Sequence, residues 1–344
     1  MTGSGEDQAR TDVSSGGRGV QVGDGNVQVN FFSQGGYGPE GQQDIRTLNE
    51  RFARAADQLG SDKPTIQLAG VYALAGLADD WEEKRQTCID LMCGYLRMPY
   101  EPSPGPDAPE SQRLTFQASR QVRHTVIRVI TAHLQENAAV SWQGLHFDFT
   151  GAVFDGGDFS NAVFSDGMVH FDRAKFSSGT VSFRNAEFCG GTVSFSGAEF
   201  CGGTVSFSAA KFSGSKVHFY FAQFSDGMVR FESAQFSRGT VAFGSAQFSG
   251  GRVSFFLAEV SGGTIDFHLA LFSSGKVDFT LTKFSGGTVS YFKAKFSGGA
   301  VDFDLAAFSG GTVDLTDPCD WSVPPKFRSI DAPHPGVKLP SGAA

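Results

Sequence analysis

The residues best suited to chemistry in this chain are a few histidines and a set of regularly spaced carboxylates. His170 and His218 share the same place in a repeat, and Asp266, Asp278, Asp302 and Asp314 recur at multiples of twelve. Aspartates gathered on one face beside basic groups could move a proton, and a histidine among carboxylates could ligate a metal. Neither gathering is signalled. Twelve-residue spacing divides the four aspartates between two faces, and nothing assembles Asp or Glu around the two histidines. There is no HExxH, no GxxxxGK followed by Ser or Thr, no CxxC, and no GxSxG between a strand and a helix. The Ser and Thr of a recurrent FSGGT phrase are turn residues. Cys88, Cys93, Cys189, Cys201 and Cys319 are odd in number and signal neither a disulfide framework nor a zinc site, which fits a reducing compartment. The expectation is a protein without catalytic residues, metal or cofactor.

Composition bounds the elements that could position a site. With 40% hydrophobic residues the chain is not wholly disordered, and 35 Phe and 44 Gly against 3 Trp and 6 Tyr is the bias of a repeated unit. A formal charge of -8 and a pI near 5.4 exclude a general nucleic-acid binder, which needs a basic surface. No apolar core of signal-peptide type opens the chain and no run of about 18 apolar residues occurs, so a cytoplasmic protein with no transmembrane segment is expected.

The organisation is read from changes of period. Residues 1–43 are expected to form a flexible tail with one short β motif at 19–32, followed by a helical capping domain at 44–140. Ile45, Leu48, Phe52, Ala55 and Leu59 follow helical spacing. Leu68, Val71, Ala75 and Ala78 mark a second helix, Ile89, Cys93 and Leu96 a third, and Val122, Val126, Val129, Ile130 and Leu134 a fourth. Residues 98–111 hold five prolines and must be a loop.

From residue 141 to 315 the chain repeats. Phe149, Phe154, Phe159 and Phe164 come at intervals of five, and then the interval is twelve: Phe164, Phe176, Phe188, Phe200, Phe212, Phe224, Phe236, Phe248, Val260, Phe272, Phe284, Phe296 and Phe308. Columns of Val, Phe and Ala run in step, broken at Ile265, Thr282, Tyr291 and Leu315, and each unit reads V-x-F-x-x-A-x-F-S-G-G-T. So small a unit cannot bury its own Phe pair. It must stack on its neighbours, with these Phe residues as the structural core.

Ala152-Val153-Phe154 and Ala162-Val163-Phe164 resemble the five-residue frame of the pentapeptide-repeat family, a small residue followed two positions later by Leu or Phe. The resemblance implies a mainly β chain folded as a right-handed quadrilateral parallel β-helix with both motif positions inward, preceded here by a small all-α domain. The twelve-residue unit parses as five plus seven, with two residues added at one corner, so that two units close a 24-residue coil. A shorter first coil, built of four fives, and about seven coils in all would make a rod of roughly 34 Å at about 4.8 Å per coil. The rival is a two-faced roll with one unit per coil. Cys189 and Cys201 discriminate, because a 12-residue coil stacks them and a 24-residue coil sets them on opposite sides. The helical domain should cap the first coil, and residues 316–344 should supply a cap through Trp321 and then a disordered tail. The "QLGS…IQLAGVYAL" phrase resembles the segment that precedes pentapeptide repeats in actinobacterial proteins.

Some members of that family mimic DNA and bind gyrase. Residues 145–315 carry 15 Asp and Glu against 12 Lys and Arg, a net charge too small for a duplex-like field. More telling is "GVQVGDGNVQVNFF" at 19–32, a mirror-symmetric alternating segment between flexible flanks. One reading is a hairpin turning at "GDGN". The other is self-association across chains, since a short uncharged stretch with Gln and Asn suits cross-β stacking, and Val20-Gln21-Val22-Gly23 resembles the core of amyloid signalling motifs of the RIP-homotypic-interaction type. The candidate residues are Val20, Gln21, Val22, Gly23, Asn26, Val27, Gln28, Val29 and Asn30. The implied partner is a protein, one carrying a like motif or a second copy, and no nucleic acid is expected. The chain therefore reads as an interaction scaffold or effector, with a plain target-binding rod, including the gyrase-binding mimic, as the alternative.

Overall fold

The computed structural model describes residues 20–23, 26–29, 39–101, 103–327 and 334–342, and the chain divides into two compact units, residues 1–47 and 48–344. In the first unit, strands β1 (Val20–Gly23) and β2 (Asn26–Val29) pair antiparallel. Four helices follow: α1 (Pro39–Leu59), which crosses into the second unit, α2 (Pro64–Asp80), α3 (Arg85–Arg97) and α4 (Glu110–His133). The first helix starts at Pro39 rather than Asp44, so the end of the expected flexible tail is helical; proline is tolerated where the first N–H has no partner.

From Phe147 the chain is a parallel β-solenoid. Val193 pairs with Val169 behind it and Val217 ahead, and Phe200 with Phe176 and Phe224, so two sequence units close one coil. The side chains of Asn161 and Asn185, 24 residues apart, bond one above the other. Cys201 pairs into one sheet beside Asp226, while Cys189 follows Phe188, which pairs with Phe212 in the other, and the two-faced roll is excluded. The first coil is two residues shorter than the rest rather than four, as Phe154 pairing with Phe176 and Met168 N bonding to His146 show. It lacks the two added residues at one corner only, between Phe154 and Phe159. That tight corner carries Gly156 and Gly157, and a Cβ on Gly157 would stand 2.9 Å from Ile127 of α4, so the missing residues make room for the helix.

Inside each coil the Phe, Val and Ala columns point inward and are buried, except Ala306 near the far end, which is half-buried. Phe171, Phe195, Phe219, Phe243 and Phe267 stack with centroids 4.8 Å apart at each step. The facing column meets them edge-on, as in Phe195 against Phe207 at 5.8 Å and 86°. Each such pair adds about 0.5–1.5 kcal/mol beyond the area it buries. Two irregular residues differ in how they are accommodated. Thr282 in the Ala column donates to Phe255 O at 2.7 Å, whereas the hydroxyl of Tyr291, in a Phe column, is buried without a partner.

The turn after each V-x-F closes with the Ala N–H donating to the Phe carbonyl, as from Ala174 to Phe171 at 3.1 Å, and holds its third residue left-handed. Where Ser or Asp follows the Val it supports that turn by accepting from the backbone two residues on, as Asp266 does from His268 and Asp278 from Thr280 at 3.1 Å each. The Gly-rich corners answer to a different constraint, close approach between coils. A Cβ on Gly202 would lie 2.3 Å from Ser177 O in the preceding coil.

Both ends are closed. On the first coil, helical side chains take the place of a preceding coil: Gln86 bonds His146 O at 2.8 Å and His146 N at 3.0 Å, Arg123 donates to Val153 O at 2.8 Å, Thr131 to Asp158 O at 2.8 Å and Gln135 to Ser160 O at 3.1 Å. At the other end Trp321 meets Phe296 edge-on at 5.4 Å, and Phe327 stacks on Phe303 at 4.7 Å. The proline-rich tail does more than the expected disorder. Asp320 bridges to Lys295, Lys326 to Asp302, and Val337–Lys338 pairs with Val313–Asp314, which brings the solenoid to about eight coils. Prolines are admitted there because an end coil needs N–H groups on one side only.

Two substitutions test this account by chemical denaturation. Gly202→Ala should destabilise by about 1–3 kcal/mol through the clash with Ser177 O. Tyr291→Phe should stabilise by about 1–3 kcal/mol, the cost of the unpaired hydroxyl.

Candidate functional site

The periodic polar residues resolve into turn and ladder devices. His170 Nδ1 lies 3.1 Å from Asp172 Oδ2, and Ser194 donates to the other oxygen of the same carboxylate. The carboxylate therefore stands between imidazole and hydroxyl, and no ring nitrogen is bonded to Ser194 to accept its proton. His218, one coil beyond Ser194, packs its ring against Tyr220 at 4.8 Å. Asp266 and Asp314 lie in one sheet and Asp278 and Asp302 in the other, as their spacing requires. Asp278 is buried beside Arg252 and Lys276, and Lys276 also reaches Asp302 at 3.3 Å. Burial alone would raise the Asp278 carboxyl, but hydrogen bonds from Thr280 and Lys276 outweigh it and hold it below the ordinary value. Among the described residues no group of three or more His, Cys, Asp or Glu is disposed to hold a metal ion, and no helix is long and apolar enough to cross a membrane.

The densest polar cluster was not legible in the repeat. Asp155, at the tight corner of the first coil, accepts from Tyr100 O–H at 2.8 Å and Arg120 Nε at 3.0 Å, with His124 Nε2 at 3.1 Å. Burial opposes its charge, yet the hydrogen bonds from His124 and Tyr100 and the charges of His124 and Arg120 hold the carboxyl below its ordinary range. Burial and the Asp155 bond push the Tyr100 phenol up. Arg123 passes beneath, 4.2 Å from the Tyr100 ring, and joins Leu96 O to Val153 O. An open cleft along α4 is lined by Arg120, His124 and Arg128, but the first two serve Asp155 and the third donates to Tyr72 at 3.0 Å. These groups fasten the helices to the solenoid.

The candidate self-association residues occupy β1 and β2. Val20 faces Val29, Gln21 faces Gln28, Val22 faces Val27 and Gly23 faces Asn26, the register given by the mirror symmetry of the sequence. Within one chain this is the hairpin arrangement. The pair forms a sheet of two strands, so each strand keeps one unpaired edge in that sheet. Asp24, Gly25 and Asn30 lie outside the described residues. The core residues Phe154 through Phe308 are each at most 9% exposed.

What the repeat pattern hid is the edge of the rod. Phe221, Leu257, Leu269, Leu281, Phe292 and Leu305 are large, apolar and exposed, all in the two turn positions that vary freely between units. Their only sequence signal is an apolar residue in a column otherwise polar or small.

A carboxylate held low stabilises the fold above its unfolded pKa of about 3.9 and loses that contribution as pH falls through the folded value. Asp155→Asn should cost about 1–3 kcal/mol at pH 7. In melting curves between pH 2.5 and 7, the gap between the variant and the parent should close on the acid side.

Comparison of the chain with protein-family models, with curated proteins and with solved structures finds no match. The stacked coils and their regular Phe ladder are those expected of a pentapeptide-repeat fold.

Proposed function

We propose that the protein is a non-enzymatic interaction scaffold, a rigid solenoid recruited into assemblies by strand pairing through residues 19–32. The observation that carries this reading is the register of β1 and β2, which sets Val against Val and Gln against Gln. Mirror symmetry makes the same pairs available between chains: Val20–Gly23 of one copy meets Asn26–Val29 of another with every partner conserved. The unpaired strand edges of a two-stranded sheet accept such an addition. Uncharged Val, Gln and Asn place no like charges together when copies stack. The rod is then cargo brought to a partner that presents a like segment.

A second reading has its own support. Leu257, Leu281 and Leu305 occupy the same turn position in consecutive coils and are 47%, 37% and 55% exposed, a strip suited to a protein target. On this reading the rod binds directly and the tail is incidental. The gyrase-binding variant is the weaker form of it, given three net negative charges over residues 145–315.

A peptide covering residues 15–38 separates the two. Under templated assembly it should form thioflavin-positive fibres visible by electron microscopy, and the Gln21→Asp, Gln28→Asp peptide should not. A parent peptide that stays soluble removes the first reading and leaves the rod surface.

A further inference from the structure

The second turn residue on one edge of the rod is Gly197, Phe221, Ser245 and Leu269 in four consecutive coils, with φ of 66°, 58°, 55° and 56°. The ladder joins these turns directly: Gly197 N–H donates to Tyr220 O at 2.7 Å, Phe221 N–H to Gly244 O at 3.0 Å and Ser245 N–H to His268 O at 2.9 Å. A bulky side chain in the left-handed region is strained, and glycine at 197 shows that the slot takes the residue that would relieve it. Phe221 and Leu269 nevertheless occupy it while 66% and 51% exposed. Within one chain they gain neither burial nor a favourable backbone.

Their order is informative. Along the edge the sizes run small, large, small, large, over about 14 Å at the coil spacing. Read from the other end, the row is large, small, large, small. A second copy laid antiparallel, with a two-fold axis between the turns of Phe221 and Ser245, sets Phe221 against Ser245 of the second copy and Leu269 against its Gly197. A parallel copy in register sets Phe221 against itself and holes against holes. The flanking columns tolerate the antiparallel arrangement too. Gln223 meets Gln247 and Glu199 meets Leu271, so no like charges face each other over these four coils; the strip ends there, because one coil further out Arg173 would face Lys293 and Lys175 would face Lys295. A wall for the notch at Ser245 is already in place, because the His268 ring lies across Gly244 and meets Tyr220 at 6.1 Å.

We propose that this edge is a lateral interface between two copies of the chain, paired antiparallel by Phe221 and Leu269 acting as knobs and Ser245 and Gly197 as holes. The strip is shorter than interfaces burying about 1,200 Å² or more, so the pair is reversible, with half-dissociation on the order of 10–100 μM. It needs no contribution from the N-terminal strands.

The test uses the full chain carrying Gln21→Asp and Gln28→Asp, which silences the tail, in sedimentation equilibrium from about 10 to 500 μM, a range that brackets the expected dissociation. The expected mass rises from one chain toward two. Phe221→Ser leaves holes facing holes, and Ser245→Phe sets ring against ring; each alone should weaken pairing at least tenfold, with melting curves showing both folded. Mixed in equal amounts, the first chain offers a hole at both positions and the second a knob at both, so two-chain mass should return. A parent that stays monomeric throughout, variants that pair like the parent, or a mixture that does not recover would each overturn the interface. Masses that grow beyond two chains would replace the two-fold with a slipped parallel stack.

Discussion

The structure depends on an agreement between two lengths. Backbone strands in a ladder stand about 4.7–4.9 Å apart, and aromatic rings stack within a range that includes that distance. A Phe that recurs once per coil therefore stacks on its predecessor without tilting out of the ladder, and Phe200, Phe224, Phe248 and Phe272 do so at 4.7 Å at each step. Smaller side chains leave the column underfilled, as Val260 does between Phe236 and Phe284, while Tyr291 keeps the stack at the expense of an unpaired hydroxyl. Stability is collective as a result, since each coil buries its rings only against its neighbours.

Such a stack has no natural end, and the two ends are closed by different chemistry. At the start, side chains from α3, α4 and the segment just after α4 reach individual backbone groups of the first coil, with Arg123 buried between Leu96 O and Val153 O. At the finish the backbone itself continues, through bridges at Asp320, Lys326 and Val337, while the rings end on Trp321 and Phe327. A helical cap needs an individual match at every group, which is why Asp155 and its partners are found there. A strand cap needs only main chain, so it can be written in a sequence that looks like a disordered tail.

This difference explains how much was legible beforehand. The twelve-residue period followed from columns that never slip, two units per coil followed from the five-plus-seven parse, and the placement of Cys189 and Cys201 at different sheets decides against the 12-residue coil. The four helices followed from spacing such as Val122, Val126 and Val129. The Asp155 cluster could not be read, because Tyr100, Arg120, His124 and Asp155 belong to three different segments and obey no period. The first coil's true length was hidden because the missing corner residues are a response to Ile127, a residue far away in sequence. The mirror symmetry at 20–29 was legible as strand pairing, and the register follows it pair for pair.

Stacking also constrains what the surface can say. Outward residues in one column stand a coil apart, so like charges repeated in a column would repel along the whole rod. The column beside the Phe stacks avoids this by alternation, with Lys175 over Glu199 and Glu187 over Lys211. Where two cations do adjoin, at Arg252 and Lys276, Asp278 is drawn between them. Most of the rod's outer face is thereby committed to its own cohesion. The turn positions are exempt, since their backbone is held by the bond from the Ala N–H to the Phe carbonyl, whatever side chain they carry. Residues as different as Asn185, Phe221, Leu257 and Lys293 share one left-handed geometry there, with φ of 56° to 58°. The two edges are consequently the part of the rod whose side chains can change from coil to coil without loss of cohesion, and their order there is set by something other than the stack.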